Sequence, residues 1–164
     1  MGLAGAAELG ISVPQTKKQL LAIVETDGCF ISGVAAATAC GVHRRTLRVK
    51  DYGKIAVTFV DTETAEAVRV APQIGVRERA RTYAPEHSKR YFAMLHGYQR
   101  MPTDELLTLT RVKLVRDIGD IISRAGVRVD CAACGEEIIN EREQLKAGRN
   151  LCRACVGGAY YQLV

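Results

Sequence analysis

Four cysteines near the end of the chain have the residue type and the spacing for metal chemistry. Cys131, Cys134, Cys152 and Cys155 form two C-x-x-C pairs with 17 residues between them. Thiolates bind Zn²⁺ tetrahedrally at about 2.3 Å, and one C-x-x-C turn places two sulfurs on the same side of the ion. Two such turns complete the coordination shell, so the spacing predicts a four-cysteine zinc site.

A shell closed by four thiolates leaves no position for water or substrate. We therefore expect the zinc to stabilise a small ribbon and to take no part in catalysis. Gly135 and Gly157–Gly158 follow the two pairs and can adopt the backbone angles found beside a metal-binding turn. Two other interpretations stay open. Redox-active C-x-x-C motifs are expected beside a βαβ pattern, which this segment lacks, and four thiolates can also hold an iron–sulfur cluster.

Cys29 is a second candidate for chemistry. It follows Asp27 and Gly28 at the predicted start of a helix, where backbone amides and the helix dipole stabilise a thiolate. Cys29 could be a metal ligand or a nucleophile, but the residues alone favour core packing, and more strongly so for Cys40. An enzyme that uses a metal-bound water at Cys29 ranks last, because the sequence offers no convincing general base.

Length and composition limit the class of protein. The 164 residues, 48% of them apolar, suit one domain of ordinary size with a small appendage. No run of about 18 apolar residues occurs, so we expect no membrane span, and the first residues lack the pattern of a secretory signal. Cysteine pairs at ligand spacing fit a reducing compartment better than a disulfide framework does. We therefore expect a cytoplasmic protein.

The charge distribution bears on nucleic-acid binding. The chain has a net charge of +5, and a basic surface is the usual footprint of phosphate binding. Residues 130–164 contain four basic and five acidic side chains, however, which gives the cysteine segment a net charge of −1. The excess lies mainly in residues 77–100, with six basic and two acidic side chains. We therefore do not expect nucleic acid as a partner, although the segment from Arg77 to Arg100 has the charge to contact phosphate.

Apolar periodicity and turn signals predict the elements that position these cysteines. The predicted order is a helix at 1–9, a strand at 19–26, a helix at 29–40 capped by Asp27, strands at 46–50, 54–60 and 66–70, a helix after Pro85, and a strand at 111–115. The three central strands are predicted to form an antiparallel meander. Tyr91, Met94, Leu95 and Tyr98 share one face of the later helix, which predicts that this face packs against another element.

The fold class predicted from these elements is α+β. It consists of a helix–strand–helix unit followed by an antiparallel meander, with a small C-terminal zinc ribbon. The apolar run Ile118–Ile122 gives way to the cysteine segment between Arg124 and Asp130. The predicted domains are therefore residues 1–126 and 127–164.

Several segments resemble the family of proteins that are like the E-subunit of formylmethanofuran dehydrogenase. The resemblance rests on ETDGC at Glu25–Cys29, DYGKIAVTFVD at Asp51–Asp61, AVRVAP at Ala67–Pro72, CAACGEEI at Cys131–Ile138 and LCRACVGGAYY at Leu151–Tyr161. The last two segments are similar to the DksA/TraR-type zinc finger. The resemblance covers nearly the whole chain. It implies an α+β domain followed by a zinc ribbon, and a homodimer.

The chain departs from this family at its first residues. Family members usually begin with an H-x-H-x-C-P segment just upstream of a helix like Met1–Leu9, and Met1–Leu3 resembles the residues that follow that segment. We therefore expect a shortened form or an internal start. In the family the ETDGC cysteine helps to bind a second metal near that segment. The resemblance thus implies a second metal at Cys29, in a site that would be incomplete here.

Two functions follow as hypotheses. The resemblance implies a non-catalytic, zinc-binding accessory protein related to the formylmethanofuran dehydrogenase E-subunit, which handles a metal or cofactor for a molybdenum or tungsten enzyme partner. The alternative is a zinc-ribbon regulatory or interaction module that binds RNA polymerase or nucleic acid, favoured by the finger type and the basic excess. Metal handling predicts an open metal site at Cys29, whereas phosphate binding predicts steep salt dependence.

Overall fold

The computed structural model describes residues 1–162 and 164, and the chain divides into two compact units, Met1–Val115 and Arg116–Val164. Residues 116–126, predicted as part of the first domain, group with the second unit. The predicted domain boundary between residues 126 and 127 stays a prediction.

The first unit contains one five-stranded sheet. Its elements are α1 (Gly2–Glu8), β1 (Leu20–Val24), α2 (Cys29–Thr38), β2 (Leu47–Val49), β3 (Val57–Asp61), β4 (Ala67–Pro72), α3 (Val76–Thr82), α4 (Arg90–Arg100), α5 (Thr103–Leu106) and β5 (Leu107–Val112). The strand order is β2-β1-β3-β4-β5, with β1 and β2 parallel and all other neighbours antiparallel. The α+β class with an antiparallel meander is therefore confirmed.

The strands that form the meander differ from the predicted ones. It consists of β3, β4 and β5, whereas β2 pairs with β1 in the register Ala22 to Leu47. The segment between β1 and β2 contains α2, and a parallel pair needs a crossover of this length. The predicted pairing of residues 46–50 with 54–60 is therefore wrong, because β1 occupies the place beside β3.

The core of the first unit lies where α1 and α2 cover the sheet. Strand β3 is buried at all five positions, and Phe59 is the largest fully buried side chain among the described residues. Gly5 of α1 lies directly on this ring, since a Cβ atom there would be 2.2 Å from Phe59 Cδ2. Glycine at this position lets α1 approach the sheet closely.

A buried polar contact fixes the segment that leads into β1. The Gln15 side chain accepts a hydrogen bond from Leu20 N–H at 2.8 Å and donates to the Leu20 carbonyl at 2.6 Å. The same amide nitrogen lies 3.5 Å from Cys40 Sγ, and Cys40 is 1% exposed. Core packing of Cys40 is confirmed.

Helices α3 and α4 pack through small residues. A Cβ atom at Gly97 would lie 1.8 Å from the Ala80 carbonyl oxygen, so the two helix backbones touch at this point. Helix α3 has no counterpart among the predicted elements. The predicted buried face of α4 is correct for Tyr98, which packs against Val76, Ala80 and Met101. It is wrong for Tyr91 and Leu95, which are 65% and 38% exposed, and the buried positions are Ala93 and Gly97.

Glu25 and Arg69 form a two-point ion pair beside the sheet. Arg69 Nε and Nη2 donate to the two Glu25 carboxylate oxygens at 2.6 and 2.7 Å. The side chains are 10% exposed for Glu25 and 35% exposed for Arg69. The hydrogen bonds from Arg69 are the main reason that the pKa of Glu25 is lowered.

Glu25→Gln should lower the free energy of unfolding by about 1–3 kcal/mol near neutral pH, because it leaves a partly buried guanidinium without its charge partner. A depressed folded-state pKa stabilises the protein above the unfolded value of about 4.3, and this stabilisation is lost as the pH falls through the folded value. Urea unfolding at about pH 7 and about pH 3 measures the free energy of unfolding of wild type and of Glu25→Gln. The difference between the two proteins should be smaller at the lower pH. Glu63→Gln, at an exposed position, is the matched control. A difference in unfolding free energy that does not change with pH would contradict the stabilising role of the Glu25–Arg69 ion pair.

The second unit is built from two short antiparallel hairpins. Its elements are α6 (Ile118–Ile122), β6 (Arg128–Asp130), β7 (Glu137–Ile139), β8 (Gln144–Lys146), β9 (Arg149–Leu151) and a helical turn at Ala154–Gly158. Strand β6 pairs with β7, and β8 pairs with β9. One C-x-x-C pair lies in the β6–β7 loop and the other follows β9. Across residues 1–162 and 164, no helix has the length and apolar character needed to cross a bilayer.

Candidate metal centre

The two hairpins bring the four predicted cysteines together. The sulfurs of Cys131, Cys134, Cys152 and Cys155 all lie within 4.8 Å of one another. A tetrahedral shell with Zn–S bonds of about 2.3 Å has sulfur–sulfur edges of about 3.8 Å. The cluster therefore fits one metal ion with only a small contraction of the cage.

Backbone hydrogen bonds hold the first cysteine turn in place. Cys131 N–H donates to the Glu136 carbonyl at 2.9 Å, and Gly135 N–H donates to the Cys131 carbonyl at 2.9 Å. Gly135 has a φ of +77°, a conformation that glycine adopts without steric cost. The expectation that Gly135 adopts an unusual backbone conformation beside the metal-binding turn is confirmed.

The two halves of the site are also connected directly. Ala132 N–H donates to the Asn150 carbonyl at 2.8 Å, which joins the first turn to β9. Cys152 N–H donates to Cys131 Sγ at 3.3 Å, and Arg149 Nη2 donates to the Ala132 carbonyl at 2.5 Å. The C-x-x-C pattern does not identify Asn150 or Arg149. Asn150 contributes its backbone carbonyl and Arg149 its guanidinium, each to the backbone of Ala132, and no sequence signal marks them.

The surroundings of the four cysteines shift the pKa values of two thiols in opposite directions. N–H groups of Cys134, Cys152 and Ala133 point at the Cys131 sulfur and lower the pKa of Cys131 to about 6. The neighbouring sulfurs, with Cys152 the largest contributor, raise the pKa of Cys155 to about 12. Four adjacent sulfurs cannot all ionise without a counter-charge. A bound dication supplies that charge, so the donor set suits a metal such as Zn²⁺.

Zinc uptake should release protons and strengthen with pH. Cysteine must lose its proton to bind metal, and Cys155 keeps its proton at neutral pH because its pKa is raised to about 12. The apparent affinity should therefore rise from about pH 6 to about pH 8, and fall more steeply below the Cys131 pKa of about 6. Titration calorimetry in buffers with different ionisation enthalpies measures the released protons. A binding enthalpy that is the same in every buffer would contradict this result.

Two side chains outside the C-x-x-C pairs approach the sulfurs. Glu136 Oε2 lies 3.7 Å from Cys134 Sγ. The pKa of Tyr161 is raised, first by the negative charge of Glu136 and then by burial and the thiols. Both residues lie within the segments on which the family resemblance rests, but the spacing argument did not identify them as neighbours of the metal site.

Cys29 lies at the first turn of α2 and is exposed. The core-packing interpretation of Cys29 is therefore wrong. The expected N-cap is also wrong, because Gly28 precedes the helix and no side chain caps it. Across residues 1–162 and 164, only the four-cysteine cluster brings three or more potential ligands together. A second metal at Cys29 stays a prediction.

Comparisons with known proteins agree with this architecture. The family model described as "FmdE, Molybdenum formylmethanofuran dehydrogenase operon" matches residues 1–116. The crystal structure of an FmdE-like protein of the tungsten formylmethanofuran dehydrogenase type, from Syntrophus aciditrophicus, is similar, with a TM-score of 0.54 and 24% identity over 96% of this chain and 90% of that chain. At this identity the likeness shows a shared fold. No curated protein matches the chain. Because the family model spans more than half of its residues, the chain belongs to the FmdE family.

Proposed function

We propose that this protein is a non-catalytic, zinc-binding member of the FmdE family that handles a metal or cofactor for a molybdenum or tungsten enzyme. The convergence of four sulfurs within 4.8 Å carries the zinc part of the proposal. Four thiolates around one ion leave no position for substrate, which supports a structural role for this metal.

Zinc fits the cage better than an iron–sulfur cluster does. Tetrahedral four-sulfur sites hold zinc or iron. A multi-iron cluster also places iron and sulfide atoms between its cysteines, and so needs a wider cage than a single ion. The sulfur separations here match a single ion.

The handling role belongs to the first unit, because a closed site does not exchange its metal readily. The exposed thiol of Cys29 gives that unit a group with the chemistry to receive a metal. The family description refers to a molybdenum enzyme operon, and the similar structure is named for a tungsten enzyme. These names support a molybdenum or tungsten enzyme as partner. We place the protein in the cytoplasm with that enzyme, as a homodimer.

Metal analysis of three purified proteins tests the proposal. Wild type should contain zinc, Cys131→Ser should lose it, and Cys29→Ser should keep it.

Coexpression with the partner enzyme tests the handling role. The enzyme should contain less molybdenum or tungsten when Cys29 is replaced by serine. Unchanged enzyme metal content would overturn the handling role, and iron in place of zinc would overturn the metal assignment. Light scattering after gel filtration measures whether the protein is a dimer.

A further inference from the structure

Three large side chains of helix α4 lie away from its buried face, whereas Tyr98 packs against Val76, Ala80 and Met101. The inner face of α4 consists of Ala93 and Gly97, both buried. Tyr91, Phe92 and Leu95 are 65%, 43% and 38% exposed. A surface helix of a soluble protein normally has the opposite arrangement. A contiguous exposed apolar face of this kind indicates a binding surface.

Four aromatic side chains make this surface continuous. Tyr91 and Phe92 meet edge to face with ring centroids 5.3 Å apart. His87 stacks on His96 at 4.3 Å, and its ring centroid lies 6.5 Å from that of Phe92. We call these four residues the aromatic platform. The rings of Tyr91 and Phe92 are exposed, and those of His87 and His96 are half-buried. An exposed ring can stack on another planar group, and every nucleobase presents such a face.

The charge around the platform is positive. Residues 76–100 contain six basic and two acidic side chains, a net charge of +4 out of +5 for the whole chain. Helix α4 itself contains no acidic residue. Within residues 1–162 and 164, the Lys89 side chain has no ion pair or hydrogen bond. This cation is therefore available to an anionic partner.

The two arginines of α4 form surface ion pairs, and Arg100 also donates a hydrogen bond to the Tyr83 carbonyl at 3.0 Å. Arg90 contacts Glu78 at 2.9 Å, and Arg100 contacts Glu86 at 2.6 Å. All four side chains are about half exposed or more, at 49% to 63%. Exposed pairs of this kind stabilise a protein little, so a phosphate can replace the carboxylate.

We propose that the outer face of α4 binds single-stranded nucleic acid. Bases stack on Tyr91 and Phe92, and phosphates lie against Lys89, Arg90 and Arg100. An acidic protein partner would match the charge, but the continuous platform favours an occupant with planar groups. This inference concerns a surface distant in sequence from the cysteines and does not depend on the proposed metal handling.

Fluorescence anisotropy with the full zinc-loaded chain and labelled oligo-dT and oligo-U of about 20 nucleotides tests the proposal. Three phosphate contacts give a slope of about −2 for log affinity against log salt, which is a roughly 20-fold loss between about 50 and 200 mM. Tyr91→Ala and Phe92→Ala should each weaken binding about 5-fold or more. Tyr160→Ala, which removes a ring that is 97% exposed in the second unit, should leave the affinity unchanged.

Three results would overturn the proposal. The first is no binding at low salt. The second is binding that Lys89→Ala and Lys146→Ala weaken equally while the ring variants bind normally, because this describes non-specific attraction. The third is flotation of the protein with phosphatidylglycerol vesicles together with no oligonucleotide binding, which identifies a membrane surface. Thermal unfolding by circular dichroism checks that each variant remains folded, as expected for substitutions at exposed side chains.

Discussion

Cys131→Ser should unfold the second unit, Arg116–Val164, and leave the first unit folded. Among the described residues of the second unit, the buried apolar side chains are Cys131 and Ile138. Hairpins with strands of three residues are at best marginally stable in water. Zinc binding to small cysteine sites contributes about 10–16 kcal/mol, so most of the stability of this unit comes from the metal.

Amide hydrogen exchange followed by mass spectrometry measures this effect for each unit separately. Peptides from residues 127–162 should lose protection in Cys131→Ser and in wild type treated with a chelator, while peptides from β1 and β3 keep theirs. Cys29→Ser is the matched control, because it removes a cysteine from the other unit at an exposed position. Protected ribbon peptides after complete zinc removal would mean that the hairpins are stable on their own.

Gly97→Ala should destabilise the first unit by about 3 kcal/mol, near the upper end of the cost of overpacking a core. The new methyl group would lie 1.8 Å from the Ala80 carbonyl oxygen, a backbone atom that cannot rotate away. The two helices α3 and α4 would therefore have to separate. Loss of the buried contacts of Val76 and Met101 would follow.

A second helical glycine gives the control. Gly33 lies in α2, and a Cβ atom there would meet no heavy atom within 4 Å. Gly33→Ala should therefore stabilise the protein by up to about 1 kcal/mol through helix propensity alone. Denaturant unfolding of both variants compares the two effects. A similar change in both proteins would contradict the close contact between α3 and α4.

The elements with a strong local signal were predictable from the sequence. Thiolate spacing predicts the cysteine cluster, because a C-x-x-C turn has few geometries that serve a metal. The Leu20–Val24 run predicts a buried strand by its β-branched and apolar residues. The α+β class follows from the order of such elements, and it is confirmed.

Features that depend on distant partners were not predictable. The place of β2 depends on a choice between pairing with β1 and pairing with β3, and local sequence does not decide between them. The packing of α4 was predicted for Tyr98 but not for Ala93 and Gly97, because these two residues bring α4 close to α3 without a large apolar side chain. Exposed Tyr91 and Leu95 have the periodicity of a buried face, and sequence cannot distinguish a core from a binding surface.

The position of β1 has a consequence for protein synthesis. Strand β1 ends at Val24, but its antiparallel partner β3 begins at Val57. At about 5–20 residues per second, roughly 2–7 seconds pass between the synthesis of these two residues. During that interval the apolar segment LLAIV has no antiparallel partner. The nascent chain therefore exposes its most hydrophobic strand to the ribosome surface and to chaperones before the centre of the sheet can close.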